Sequence, residues 1–189
     1  MLALLKKRRS IRKFKFKKVS TDQIEQLVQG ALLSPTSKNR RPWEFIVVTE
    51  EKGLTALSKS KTHGAQFLEG APLAIVIIGD PEVSDVWIED TSIASILIQM
   101  TAESLELGSC WIQIRERFHN DKKSAEDYVK EVLSIPAAKR VASIIAIGHP
   151  DEEKKPHSEE NLLYEKVYHN RYHEDCRMRL SNTPNIKEQ

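Results

Sequence analysis

Apolar residues recur at the spacing of an amphipathic helix over residues 21–33. The polar triplet at 20–22 supplies an N-cap, and Pro35 ends the helix because proline cannot continue it. A longer pattern predicts a second helix over residues 86–107, ended by Gly108. This helix is apolar around much of its circumference, so more than one of its faces should be buried. Another subunit would provide the second buried surface.

Runs of β-branched and apolar residues predict the strands. The runs at 74–78 and 140–147 are apolar throughout, which is typical of strands buried on both faces. Helices and strands are interleaved, so the fold class is α/β or α+β. The segment after residue 150 is polar and contains tyrosines that could wrap a neighbouring subunit. The other predicted elements are strands at 44–49 and 110–114, an extended segment at 11–19, and helices at 2–9, 51–60 and 121–133.

The 189 residues are 40% hydrophobic and 30% charged, which is typical of one globular domain. The formal net charge of +2 hides a local asymmetry, because residues 6–18 contain nine Lys and Arg side chains and no acidic one. The remaining residues carry 20 basic against 27 acidic side chains. Such a basic segment either binds a specific anion or acts as an electrostatic handle for nucleic acid or membrane.

Simple counts exclude several classes of protein. The two cysteines, Cys110 and Cys176, form no disulfide framework, so a reducing cytoplasm is the simplest compartment. The first apolar run precedes the positive charges, the reverse of a signal peptide, and no uncharged apolar stretch is long enough to span a bilayer. The spacing of the seven glycines permits no GxGxxG or Walker loop, so side chains must hold any nucleotide phosphate.

The basic segment contains a compact constellation, Arg8-Arg9-Ser10-x-Arg12. In an extended chain, residues 8, 10 and 12 point to the same side. Two guanidiniums that flank a hydroxyl form a receptor for an anion, since arginine binds phosphate oxygens with paired hydrogen bonds. The alternative is a solvated basic face or a nucleic-acid patch.

The polar loop at 34–42 contains small hydroxyl and amide residues that can donate to the carbonyls and ring nitrogens of a flat heterocycle. Since Ser, Asn and Pro are also common in turns, a plain turn is the alternative.

In the polar tail, His169, His173 and Cys176 have a spacing that would place three zinc ligands on one helix face. A solvated tail is the simpler interpretation, and no metal site is assigned.

The basic constellation at 8–12 and the polar loop at 34–42 together resemble the opening of the FMN-dependent nitroreductase family. RRSIRKF is followed by a helix and then by SPTSKNRRPWEFIVV, while APLAIVIIGD, LELGSCWI and IIAIGHP match later family passages in order over residues 5–150. The resemblance implies an α+β fold with three layers, α/β/α, a central and mainly antiparallel sheet, and an intertwined homodimer. It also implies one domain over residues 1–175, followed by a polar tail over residues 176–189.

The resemblance further implies an FMN site. Arg8 would bind the phosphate, and Arg12 would lie near the phosphate or the pyrimidine edge of the flavin. Because the family's two sites lie at its dimer interface, Ser37 and Asn39 would come from the second subunit. The implied cofactor-binding residues are Arg8, Arg9, Ser10, Arg12, Pro35, Thr36, Ser37, Asn39, Gln113, Gly148, Lys154 and Lys155, of which one of the two lysines would close over the phosphate.

The implied activity is a ping-pong hydride transfer. NADH or NADPH reduces FMN and leaves, and an electron-poor small molecule such as a nitroaromatic or quinone is then reduced. No catalytic side chain, nucleic acid or membrane is assigned. Two features depart from the family: the bulky run at 113–117, in a loop whose backbone lies against the flavin ring in the family, and Arg41 in place of glutamine. The alternatives are a diverged member with another substrate or little turnover, and an anionic-surface or nucleic-acid binding module that uses residues 6–18.

Overall fold

The computed structural model describes residues 1–173, and the chain divides into two compact units, one over residues 1–155 and a second that begins at residue 156. The strands are β1 Trp43–Val48, β2 Leu73–Gly79, β3 Gly108–Gln113, β4 Phe118–Asn120, β5 Lys123–Ser124 and β6 Arg140–Gly148. The helices are α1 Leu2–Lys7, α2 Thr21–Leu32, α3 Glu51–Ser58, α4 Trp87–Ser104 and α5 Ala125–Leu133. Short 3₁₀ helices occur at Ser37–Asn39, Gln66–Gly70, Glu159–Asn161 and Tyr164–Lys166.

An antiparallel four-stranded sheet, in the order β1-β2-β6-β3, forms the centre of the first unit. On one face, α2 and α4 cover Ile75 and Ile145, and on the other face α3 and α5 cover Val76 and Ile144. Because successive residues of a strand point to opposite faces, these apolar strands supply both cores. The predicted α+β class, the three layers and the mainly antiparallel sheet are confirmed.

Helix α4 buries much of its circumference within its own chain, as its sequence predicts. Its polar positions are paired there: the hydroxyl of Ser95, for example, lies 3.1 Å from that of Ser143 on β6. Two large apolar residues on the helix, Ile93 and Ile96, are 38% and 39% exposed. The further surface that would cover them is a prediction that a single chain leaves untested.

The predicted start of one helix is wrong. Residues 118–124 form the β4–β5 hairpin, so α5 begins at Ala125 and not at residue 121. Ser124 caps the helix, because its hydroxyl accepts the Asp127 N–H at 2.9 Å. The local polar sequence favours a turn here, and the hairpin satisfies backbone groups that a helix would otherwise have paired.

The second unit contains the last two 3₁₀ helices and a contact between the rings of Tyr168 and Tyr172, whose centroids are 4.3 Å apart. The predicted domain boundary at residue 175 lies outside the described residues and stays a prediction. Within residues 1–173, no helix combines the length and the apolar composition that a membrane crossing requires.

Gly148, at the end of β6, is required by close packing. A Cβ at this position would lie 2.6 Å from Pro72 and 2.9 Å from the ring of Phe14. We therefore expect Gly148→Ala to lower the free energy of unfolding by about 1–3 kcal/mol, the usual cost of overpacking. Urea denaturation checks this value. Gly70→Ala is the matched control, because a Cβ at Gly70 has no atom within 4 Å, and an equal effect in both variants would contradict the packing argument.

Candidate functional site

The segment of residues 10–15 lies against the end of the sheet at which β3 begins. Ser10 forms a parallel bridge with Ser109, and the Ile11 N–H donates to the carbonyl of Ser109 at 3.0 Å. Gly108 permits this approach, because a Cβ there would lie 2.8 Å from the side chain of Ile11. The segment therefore begins as a short additional strand beside β3.

The same segment then pairs with the chain that continues from β6. The Lys15 N–H donates to the carbonyl of His149 at 2.8 Å, and the Asp151 N–H donates to the carbonyl of Lys13 at 2.9 Å. β3 begins beside the residue at which β6 ends, so the two sets of contacts are adjacent. Backbone hydrogen bonds with β3 and with the chain after β6 thus hold residues 10–15 across this end of the sheet.

Three predicted cations gather around this end of β3. Burial raises the pKa of the Cys110 thiol, and opposing effects come from the charge of Arg12, a hydrogen bond with Ser10, and the charges of Lys154 and Arg8. The charges of Arg8, Arg12 and Lys154 therefore all act on this thiol, and the bridge between Ser10 and Ser109 places Ser10 beside the start of β3. We call Arg8, Ser10, Arg12 and Lys154 the cation cluster. Two guanidiniums, an ammonium and a hydroxyl form a receptor for phosphate oxygens, because charge-assisted hydrogen bonds are strong.

An aromatic ring orients one member of the cation cluster. The guanidinium carbon of Arg12 lies 5.9 Å from the ring centroid of Phe67, a distance at which a cation is attracted to the ring. The sequence contains no signal for this contact, because Phe67 reads as an ordinary apolar residue before β2. Only the tertiary structure places it beside Arg12.

The two other predicted basic residues have a different position. The guanidinium of Arg9 donates to the backbone carbonyl of Lys155, so Arg9 holds the chain that follows β6. Lys155 is exposed, whereas the side chain of Lys154 is only 29% exposed. The charge of Lys154 also opposes the rise in the pKa of the Cys110 thiol. Of the two candidate lysines, Lys154 is the one that joins the cluster.

Glu152 is a carboxylate among these cations that sequence reasoning missed. Its Oε1 accepts the N–H groups of Arg12 and Lys13, the second at 3.2 Å, and its Oε2 lies 3.4 Å from Nζ of Lys154. The N–H of Arg12 is the main reason that the pKa of Glu152 is below its usual value, and it outweighs the opposite effect of desolvation. Nothing in the acidic run at 151–153 distinguishes this glutamate from its neighbours.

The loop at 34–42 is anchored to the first turns of α4. The Ser37 N–H donates to the carboxylate of Asp90 at 2.9 Å, and the hydroxyl of Ser84 donates to its other oxygen at 3.2 Å. Asp90 is only 2% exposed. A buried carboxylate is unfavourable unless it is hydrogen-bonded, so these two contacts fix the loop in place. Asp90 is a second residue that the sequence did not reveal, because it lies 53 positions from Ser37.

Further contacts inside the loop maintain an unusual backbone. Lys38, Asn39 and Arg41 have φ values of 50°, 54° and 50°, which are unfavourable for residues other than glycine. The hydroxyl of Thr36 accepts the Arg41 N–H at 3.0 Å, and the side-chain oxygen of Asn39 accepts Nε of Arg41 at 2.9 Å. The loop therefore uses these acceptors for its own shape, and it exposes Pro35 and Asn39.

The loop and the cation cluster lie at opposite ends of the sheet of one chain. The loop leads into Trp43 on β1, which pairs with Gly79 on β2. Gly79 in turn pairs with Arg140 at the start of β6. The cluster lies beyond Gly148, at the end of that strand. Nine extended residues separate these ends by about 26 Å at ~3.3 Å per residue. One chain therefore does not bring the two predicted motifs together.

Gln113 also lies away from the cation cluster. It pairs with Ser143, at the far end of β3 from the cluster. Its side-chain oxygen accepts Nε1 of Trp111 at 3.0 Å, and its amide nitrogen donates to the carbonyl of Arg115 at 2.9 Å. The amide thus braces the turn after β3, and a role in cofactor binding stays a prediction.

The segment after Gln113 is less bulky than its sequence indicates. Ile114 is fully buried in the core beneath α3 and α5, so its side chain adds no bulk to the surface of this run. Arg115 and Glu116 form an ion pair at 2.5 Å, and the guanidinium of Arg117 donates to the Glu116 carbonyl. The turn runs from Ile114 to Arg117 and is closed by the Arg117 N–H, which donates to the carbonyl of Ile114 at 3.1 Å.

The motif of His169, His173 and Cys176, to which no metal site is assigned, falls partly outside the described residues. His169 and His173 are described, whereas Cys176 is not. Within residues 1–173, no group of three His, Cys, Asp or Glu side chains is arranged to hold a metal ion.

The fold and the sequence match known proteins. Residues 5–61 and 50–149 match the Nitroreductase family. The structure is similar to that of an FMN-dependent nitroreductase from Clostridium difficile R20291, with a TM-score of 0.90, 49% identity, and coverage of 91% of this chain and 100% of that chain. A structure from Parabacteroides distasonis, provisionally named NADH dehydrogenase/NAD(P)H nitroreductase, has a TM-score of 0.82, 29% identity, and coverage of 90% and 98%.

A relative from Archaeoglobus fulgidus with the same provisional name is 35% identical over 157 residues, which cover 81% of this chain and 87% of that protein. The family match covers the four-stranded sheet, helices α2 to α5 and residues 8–12 of the cation cluster. The chain therefore belongs to the nitroreductase family.

Proposed function

We propose that this protein is an FMN-dependent oxidoreductase that transfers hydride equivalents from NADH or NADPH to an electron-poor small molecule, such as a nitroaromatic or a quinone. The cation cluster is the observation that carries the proposal. It combines three positive side chains and a hydroxyl at one end of the sheet. Further support comes from the 49% identical neighbour, which is named an FMN-dependent nitroreductase.

The donor set of the cluster fits the phosphate of FMN. A phosphate monoester carries about two negative charges near neutral pH. Arg8, Arg12 and Lys154 supply three positive charges, and Glu152 reduces the local sum to a value that such a phosphate balances. We assign the phosphate to these cations and to the hydroxyl of Ser10.

When bound, FMN supplies the hydride chemistry, which no amino-acid side chain provides. The chain binds and orients the cofactor and places positive charge beside it. We assign no catalytic side chain, because the proposed reaction needs positioning and charge more than acid–base chemistry from the protein. The proposed order is ping-pong, in which the oxidised nicotinamide leaves before the acceptor enters.

We also propose that the protein is a homodimer. The loop at 34–42 lies at the other end of the sheet from the cation cluster, so Ser37 and Asn39 reach a cofactor at the cluster only if they come from a second subunit. Ile93 and Ile96 on α4 are exposed apolar residues that such a subunit would cover. A dimer therefore accounts both for the distance between the loop and the cation cluster in one chain and for the exposure of Ile93 and Ile96.

Arg8→Ala tests the phosphate assignment. We expect this variant to bind FMN about 10-fold to 100-fold more weakly, because a hydrogen bond to a charged group contributes about 1.5–3 kcal/mol. Titration of the apoprotein, followed by flavin fluorescence, measures the affinity. Lys17→Ala removes the same charge from an exposed position in the same basic segment and is the control. Equal affinities in both variants, or a natural protein that takes up no FMN and binds DNA with a steep salt dependence, would contradict the proposal.

Asp90→Ala tests how the loop is held. The variant leaves the Ser37 N–H unpaired, so we expect the strained loop to open more often and trypsin to cleave faster after Lys38 or Arg40. Peptide mapping of a proteolysis time course identifies the cleavage sites. Asp85→Ala is the control, because it removes only the exposed ion pair with Arg40. Identical cleavage rates in the two variants would show that Asp90 does not anchor the loop.

Replacing both exposed isoleucines of α4, Ile93→Glu with Ile96→Glu, tests the dimer. Four buried charges at a two-fold interface would be strongly unfavourable, so we expect the variant to sediment as a monomer and to lose FMN. Analytical ultracentrifugation at the flavin absorbance reports mass and cofactor together. Circular dichroism verifies that the variant remains folded. A natural protein that sediments as a flavin-loaded monomer is the outcome that rejects the proposed dimer.

A further inference from the structure

Glu152 is a negative side chain inside the proposed phosphate site. Charge alone predicts that a carboxylate between Arg12 and Lys154 weakens the binding of a phosphate, because like charges repel. Its contacts indicate a different effect. The inference below rests on the proposed function, since it concerns how the same site binds FMN.

The carboxylate joins two separate stretches of backbone. One oxygen accepts the N–H groups of Arg12 and Lys13, and the other faces the ammonium of Lys154. Residues 151–155 have no regular secondary structure, so the packing of a helix or strand does not fix the position of Lys154. Beyond the Asp151 N–H, this stretch is tied to the N-terminal segment by Glu152 and by the contact from Arg9 to the Lys155 carbonyl.

We propose that Glu152 is a positioning residue, which holds Lys154 and the backbone of Arg12 in the arrangement that binds the phosphate of FMN. The carboxylate does not touch the ligand in this role. It fixes the lysine in place before binding, so that less conformational freedom is lost when the phosphate enters. The consequence is a preference for FMN over riboflavin, which has the same ring system and no phosphate.

Three variants separate this role from simple repulsion. Glu152→Ala removes the tether, Glu152→Gln keeps an oxygen that accepts the two N–H groups but removes the charge, and Glu153→Ala removes a neighbouring exposed carboxylate as the control. The dissociation constants of FMN and riboflavin are measured on each apoprotein by quenching of flavin fluorescence. We expect Glu152→Ala to weaken FMN binding about tenfold, the effect of one charge-assisted contact, and to leave riboflavin binding within about twofold.

Glu152→Gln should recover part of the lost FMN affinity, and Glu153→Ala should bind both flavins as the natural protein does. Unchanged or tighter FMN binding by Glu152→Ala would show that the carboxylate only repels the phosphate, and this would overturn the proposal. An equal loss of FMN and riboflavin affinity would also overturn it, because such a loss reports general damage to the site.

A double-mutant cycle with Lys154→Ala identifies the group that Glu152 positions. If Glu152 acts through Lys154, its replacement in the Lys154→Ala background should weaken FMN binding by less than about twofold. Full additivity of the two effects would reject that route. The Arg8→Ala variant separates this inference from the proposed function: if Arg8→Ala weakens FMN binding and Glu152→Ala does not, only the role of Glu152 is wrong. If neither variant changes FMN affinity, the phosphate site itself is wrong.

Discussion

The pairing of residues 10–15 with β3 and, at the same time, with the chain after β6 is the constraint on which the candidate site depends. Ser10 and Ile11 contact the start of β3, and Lys13 and Lys15 contact the chain after β6. Backbone hydrogen bonds of this kind determine both the position and the direction of a segment. They turn a run of basic residues, which would be mobile and solvated on its own, into an ordered group of charges around Cys110.

Holding these positive charges close together is electrostatically unfavourable, and a nearby carboxylate reduces the repulsion. Three cations in close proximity repel each other, and Glu152 lies between the backbone of Arg12 and the ammonium of Lys154. The guanidinium of Arg9 binds the backbone carbonyl of Lys155 and is not a fourth cation of the cluster. The result is a set of donors that is already assembled, in which one carboxylate limits the repulsion and restrains a lysine on an irregular segment.

Several residues show where prediction from sequence succeeds and where it fails. The apolar runs of β2 and β6 predict buried strands because burial on both faces requires apolar residues at every position. Helix α5 begins four residues after its predicted start, because the β4–β5 hairpin forms from the polar segment before it. Ile114 reads as part of a bulky loop, yet it lies in the core because β3 continues its alternation for one more residue. Asp90 and Glu152 could not be found from the sequence, because the backbone groups that they bind, at Ser37 and at Arg12 and Lys13, are distant along the chain.

Periodicity and local charge depend on neighbours along the chain, so the sequence by itself determined most of the elements, an α/β or α+β class and the residue types that bind an anion. The three-layered α+β arrangement followed from the resemblance to a family. Only the tertiary structure decided which of those residues meet. It placed Lys154 at the cluster and Lys155 outside it, and it separated the loop at 34–42 from the cluster by the length of β6. The physical reason is that a binding site is defined by distances through space, and these follow from strand register and close packing, which no local pattern encodes.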